Sequence, residues 1–271
     1  MSKTSTNSIL IPILSKEQTK IALSQSYNLA RLTNSKIVIL GVETREHPVK
    51  KLLVELAKLA TLKSGQPVET LFREGNIYDE ITKVADVLNP IFILIGITSK
   101  LGIGKNLVNN SFRMVRESKH PVITIRGKVH RDGCKTILLP VDLSKETRDK
   151  VKKAIELAKI FKSDIRVISI LTSNEEDEEN KLISYSNQVW KFIKEQGIRC
   201  TIKTLRGKDI PKMIKNYGYE VDADLILIMT KAELSLKEIF IGTVAQRVIN
   251  ESDIPVLSFR PVIRKDTTAW K

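Results

Sequence analysis

Short, nearly continuous apolar runs alternate along this chain with longer stretches in which apolar residues return every third or fourth position. The first pattern suits strands buried on both faces of a parallel sheet, and the second suits helices that lay one face on that sheet. From residue 136 the alternation is regular. Residues 136–141 read as a strand, and Val151, Ala154, Ile155 and Ala158 follow at the spacing of an amphipathic helix. A strand over 165–171 precedes a long helix that opens in the acidic run from Ser173 to Glu179, where carboxylates suit the positive end of the helix dipole. That helix closes near Gln196, with Gly197 as its cap. A strand over 198–205, a helix over 209–216, a strand over 224–229, a helix over 242–251 and a strand over 255–260 complete the series. The earlier residues repeat it, with strands near 8–13, 36–42, 67–73, 91–96 and 121–126.

The repetition extends to the residues themselves. The segment SILIPILSKE, from Ser8 to Glu17, returns as TILLPVDLSKE from Thr136 to Glu146, with Pro12 and Pro140 128 residues apart. HPVITIR, from His120 to Arg126, is answered by IPVLSFR from Ile254 to Arg260, with Pro121 and Pro255 134 residues apart. The echo predicts a duplicated unit with domains at 1–127 and 134–263, each long enough to bury its own core. Alternating strands and helices make both α/β with a largely parallel sheet. The connector from Gly127 to Gly133 is polar and short, so the domains are expected to lie against each other in a pseudo-twofold arrangement.

A formal charge of +14 permits attraction to nucleic acid, anionic lipid or anionic metabolites. The lysines are spread through the helical stretches, however, and aromatic residues make up only 5% of the chain, which leaves no stacking surface for bases. Nucleic acid is therefore not an expected partner. The longest apolar run, residues 91–97, falls far short of the roughly 20 residues that cross a bilayer, and the polar N-terminus leads into a stretch broken by Pro12. The expectation is a cytoplasmic protein without a membrane partner. Cys134 and Cys200 read as packing residues, and with only His47, His120 and His130 beside them no metal site is assigned. No G-x-S-x-G elbow occurs and three scattered histidines offer no evident base for a serine or cysteine nucleophile, so no catalytic residue is assigned.

Open α/β sheets take ligands beyond the carboxyl ends of their strands, where strand order reverses. In the second half that directs attention to residues 141–144 and 229–243. Gly242 and Thr243 stand at a predicted helix start, where free N–H groups and a hydroxyl can hold phosphate; alternatively Thr243 is simply the helix N-cap. The first half has a glycine cluster, Gly102-Ile-Gly-Lys105. It misses a P-loop because of Ser99 and Asn106 and misses G-x-G-x-x-G because of Leu107, and it reads as a flexible loop, with a new phosphate site as the alternative.

The segments ILLPVD (137–142), DADLILI (222–228), GTVAQRV (242–248) and IPVL (254–257) resemble the universal stress protein family. The resemblance covers essentially the whole chain, as two tandem copies. It implies two open five-stranded parallel α/β sandwiches of the Rossmann-like, adenine-nucleotide-binding type. Their last strands, 121–126 and 255–260, would pair to form an intramolecular pseudo-dimer. Some members bind ATP through G-x-x-G, nine residues, then G-[ST], in which the glycines admit phosphates to the backbone. In the second half this pattern falls on Met229, Ala232, Gly242 and Thr243; the last two fit, and the first two narrow the approach. Asp142 keeps the family's acidic residue after the first strand, and Gly207 its turn near the ribose. In the first half Gly96 and Gly75-Asn76 match. Ser99 and the residues Val108, Asn109 and Asn110 do not, and Ile13-Leu14-Ser15 offers no acid. Either turn, at Gly75 or at Gly207, equally suits a plain strand-to-helix connection.

The resemblance therefore implies a stress-response or regulatory protein that acts through contacts with unidentified protein partners, with weak or absent nucleotide binding. It further implies homo-oligomers built on the internal pseudo-dimer. The alternative is an ATP-binding switch in which the second half uses Asp142, Gly207, Gly242 and Thr243, with Lys231 or Lys237 against the phosphates. Slow ATP hydrolysis is a third reading and lacks a base.

Overall fold

The computed structural model describes residues 7–45, 48–97, 114–115, 117–126, 133–230 and 242–260, with the backbone alone for Gly242 and Thr243. The first five strands are β1 (Ser8–Pro12), β2 (Lys36–Glu43), β3 (Val68–Glu74), β4 (Phe92–Ile97) and β5 (Val122–Arg126). Helices α1 (Lys16–Thr33), α2 (Lys50–Ser64) and α3 (Ile77–Leu88) connect the first four. The second five are β6 (Thr136–Val141), β7 (Asp164–Leu171), β8 (Cys200–Arg206), β9 (Leu225–Met229) and β10 (Val256–Phe259). Helices α4 (Thr147–Phe161), α5 (Glu176–Glu195), α6 (Ile210–Glu220) and α7 (Gly242–Glu251) lie between them.

All ten strands join one sheet in the order β3-β2-β1-β4-β5-β10-β9-β6-β7-β8. Neighbours run parallel within each group of five. Only β5 and β10 pair antiparallel, with Leu257 opposite Ile123, as the resemblance implies for the last strands. Two buried hydroxyls sew this seam: Thr124 Oγ1 donates to the Val256 carbonyl at 3.3 Å and Ser258 Oγ to the Val122 carbonyl at 3.2 Å. Each removes the cost of a buried polar group by finding a backbone acceptor on the opposite strand.

Helices α1, α2, α4 and α5 pack on one face of the sheet and α3, α6 and α7 on the other, and each face has an apolar core that runs through both groups of strands. Phe92 at the start of β4 meets Phe161 at the end of α4, with ring centroids 6.3 Å apart. Local chemistry sets the helix ends. Ser15 caps α1 by accepting from the Gln18 N–H, Asn76 caps α3 by accepting from Tyr78 and Asp79, and Asp209 caps α6 with Pro211 in the first turn. Asn34 and Lys162, both left-handed, end α1 and α4. Gly197, at φ +77°, follows the cap Gln196 of α5.

Two expectations need correction. The helix expected over 209–216 continues to Glu220, because Gly218 does not break it. A Cβ there would lie 2.7 Å from Ile254 Cδ1, so the glycine permits close packing of helix on sheet. Thr243 is not an N-cap, since α7 begins at Gly242. Among the described residues no helix is long and apolar enough to cross a membrane. Cys134 and Cys200 are free and buried, and burial pushes both thiols up to about 12, which suits packing residues.

Candidate functional site

In both groups of strands the neighbours at the reversal of strand order part after a short contact. β1 pairs β4 only at Ile9–Phe92 and Leu10–Ile93, and β6 pairs β9 only at Ile137–Leu225 and Leu138–Ile226. Beyond these pairs the carboxyl ends diverge and leave a crevice in each half. The offset of 128 residues that relates Pro12 to Pro140 also relates the left-handed caps Asn34 and Lys162, so it holds through the intervening helix. Under it Leu14 corresponds to Asp142, Thr19 to Thr147 and Ala22 to Lys150.

In the second half Asp142 follows directly on β6. Its Oδ1 accepts from the Ser144 N–H at 3.0 Å, from the Thr147 hydroxyl at 2.6 Å and from the Ser144 hydroxyl. This local net turns the chain into α4. Lys150, one turn along that helix, is buried. Burial drives its amine below the ordinary lysine value, while Asp142 and Glu146 pull it back. Although Asp142 is exposed as a residue, neighbouring atoms crowd its carboxylate and oppose ionisation. The Lys150 charge and the hydrogen bonds from Ser144 and Thr147 outweigh that cost, and the carboxyl titrates below its usual range. Half-buried Tyr185 on α5 borders the same field; its hydroxyl is raised chiefly by burial, with Arg148 opposing and Asp142 adding.

The other expected site residues surround this net unevenly. Met229 ends β9, half-buried, on the far side of the crevice, and Thr230 after it is tied to Phe259 through an N–H to carbonyl bond of 3.0 Å. Gly207 lies past the end of β8, two strands away from β6 in the sheet. A Cβ at Gly207 would lie 2.5 Å from Met213 Sδ, so the missing side chain makes room for α6. Gly242 opens α7, while Ala232, Lys231 and Lys237 lie outside the described residues, as does the side chain of Thr243.

In the first half α1 packs closely on the end of β4. A Cβ at Gly96 would lie 2.0 Å from the carbonyl oxygen of Gln18, because the first turn of α1 presses its backbone onto the end of β4. Leu14, in the place of Asp142, is buried, and so is Ala22, in the place of Lys150. The turn at Gly75 and Asn76 has its own explanation: Gly75 takes φ +136° and Asn76 caps α3. Residues 99 and 102–110, with the glycine cluster among them, lie outside the described residues, as does the connector 127–132.

Lys150 is the residue that reading the sequence missed. Counting back four from Ala154 and from Val151 on the apolar stripe lands on Lys150 and Thr147. A lysine at a core position, eight residues after an aspartate that ends a strand, was the available signal.

The universal stress protein family matches residues 133–260. A universal stress protein of Synechocystis is 32% identical over 133 residues, which covers 45% of this chain and 83% of that protein. The chain belongs to the universal stress protein family. A second member, from Methanocaldococcus jannaschii, is 26% identical over 137 residues, 80% of its length. In fold, the chain is similar to the crystal structure of a universal stress protein from Archaeoglobus fulgidus, with a TM-score of 0.74 at 19% identity over 94% of this chain and 96% of that one. A functionally unknown protein from Pseudomonas aeruginosa gives a TM-score of 0.72 at 21% identity, over 95% and 93% of the two chains.

Proposed function

We propose that this chain is a tandem universal stress protein, with domains at 1–127 and 134–263, that works in the cytoplasm as a non-catalytic stress-response protein through contacts with other proteins. Nucleotide binding is weak or absent in both halves. The observation that carries the reading is the state of the two crevices. In the first, helix backbone rests against Gly96 where the family pattern has a glycine open to phosphate. In the second, the retained Asp142 spends Oδ1 on its own turn and faces a buried lysine, and Met229 flanks the opening. The fold likeness over 94% of the chain supports the tandem arrangement, and the antiparallel β5–β10 seam supports the internal pseudo-dimer.

One observation favours the alternative, an ATP switch in the second half: Asp142 is exposed and held ionised beside the parting of β6 and β9. Calorimetric titration with ATP and Mg²⁺, run beside a Gly242→Val, Thr243→Ala variant, separates the two. The expected result is no saturable heat at micromolar ligand. Micromolar binding lost in the variant overturns the proposal in favour of the switch.

A further inference from the structure

The two outer edges of the ten-stranded sheet, β3 and β8, are built differently. On β3 the Pro67 carbonyl accepts from Ile37 and the Gly75 N–H reaches Glu43, so the odd-numbered residues turn their backbone groups toward β2. Val68, Thr70, Phe72 and Glu74 therefore present theirs outward. On β8 the Arg199 carbonyl accepts from Ile165, which leaves Cys200, Ile202, Thr204 and Arg206 outward. Trp190 Nε1 covers that edge by donating to the Cys200 carbonyl at 3.0 Å. The only charges on β8 are Lys203 and Arg206, so no self-pairing of that edge joins opposite charges.

The geometry points to β3 as a docking edge for a second copy of this chain, paired antiparallel about a twofold axis through Leu71. In that register Thr70 meets Phe72 of the second copy and Val68 meets Glu74, outward groups against outward groups. Glu69 then stands opposite Arg73 at the non-hydrogen-bonded positions, where side chains come closest, and the axis generates this pair twice. The neighbouring in-phase registers set Glu69 against Leu71 or Arg73 against Leu71 and pair no charges. In the isolated chain Arg73 Nη1 covers the Phe72 carbonyl at 2.9 Å. Pairing hands that carbonyl to the second copy's Thr70 N–H and frees the guanidinium for Glu69, which keeps Lys36 at 2.8 Å.

The helix beside this edge agrees. A groove between α2 and β3 is lined by Leu53, Val54, Ala57, Thr61, Leu62 and Thr70, with Val54 55% and Leu62 85% exposed. Because α2 rides over β2 and β3, the twofold axis sets the two copies of α2 about 10 Å apart, close to the spacing of packed helices. The exposed apolar ledge faces its own copy there, with Lys58 extending its amine to solvent.

Sedimentation equilibrium of the full chain, the exposed-site variants Arg73→Glu and Leu62→Glu, and the charge-exchanged Glu69→Arg, Arg73→Glu pair tests this independently of the nucleotide reading. The wild type is expected to dimerise, either single variant to weaken the dimer about tenfold or more, and the charge-exchanged pair to recover to within about threefold. A monomeric wild type up to about 1 mM overturns the inference. So does a dimer indifferent to Arg73→Glu, or an exchanged pair that fails to recover while its circular dichroism stays native.

Discussion

At the parting of β1 and β4 the first half places Leu14, Ala22 and the backbone of Gln18; at the equivalent parting of β6 and β9 the second half places Asp142, Lys150 and Met229. The positions that differ bear on each other electrostatically in the second half. Asp142 and Glu146 both offset the burial of the lysine, and the half that has leucine in place of the aspartate has alanine in place of the lysine, so the desolvation cost of a buried amine does not arise there. Two copies of one architecture thus fill equivalent positions with apolar packing in one case and with groups of opposite charge in the other.

The sharpest way to break the comparison is at Gly96. Gly96→Ala drives a methyl into helix backbone rather than a yielding side chain, and should cost about 3 kcal/mol of stability in urea denaturation. A loss below about 1 kcal/mol would show that α1 does not rest on β4 as described. Next in size is transplanting the first half's residues onto the second. Asp142→Leu and Lys150→Ala should each cost about 1–2 kcal/mol, a figure kept low because Asp142 is exposed, while the double variant should cost about 1 kcal/mol less than the sum. Strict additivity would mean that the two groups do not act as a pair.

Titration sharpens the same point. Because the folded-state pKa of Asp142 lies below its unfolded value of 3.8, its stabilising contribution is present above that value and disappears as pH falls through the folded pKa. The stability difference between wild type and Asp142→Asn should therefore be constant near neutrality and vanish below pH 3.8. A difference that persists at the acid end would assign the effect to shape rather than charge. The smallest effect is expected at Gly207→Ala, under about 1 kcal/mol, because the atom in the way is the flexible end of Met213.

Most of the strands and their order of appearance were legible in the sequence, because runs such as 92–97 and 225–229 are apolar on both faces and no helix period fits them. The antiparallel meeting of β5 and β10 was legible only through resemblance, as nothing local in VITIR or VLSF specifies a partner. Glycines were less legible: Gly218, beyond the helix expected over 209–216, lies inside α6 and packs closely, and Gly96 and Gly207, read as positions of the family pattern, also make room for Gln18 and Met213. A missing side chain records that something comes close, and the sequence alone does not say whether it is a phosphate or the protein's own atoms. Lys150 escaped notice because lysine is normally read as surface, and only its place on the apolar stripe marked it otherwise.

The antiparallel seam between β5 and β10 is made within one continuous chain. When such a seam joins two separate but identical subunits, every substitution appears on both sides of the axis at once, and a leucine in place of the aspartate would alter both crevices together. Joined in one polypeptide, each side can change alone while its neighbour is held beside it at a permanently high effective concentration. A lysine buried on one side need be accommodated only there. The covalent joining of the two sides of the seam is therefore what allows a symmetric architecture to carry asymmetric chemistry.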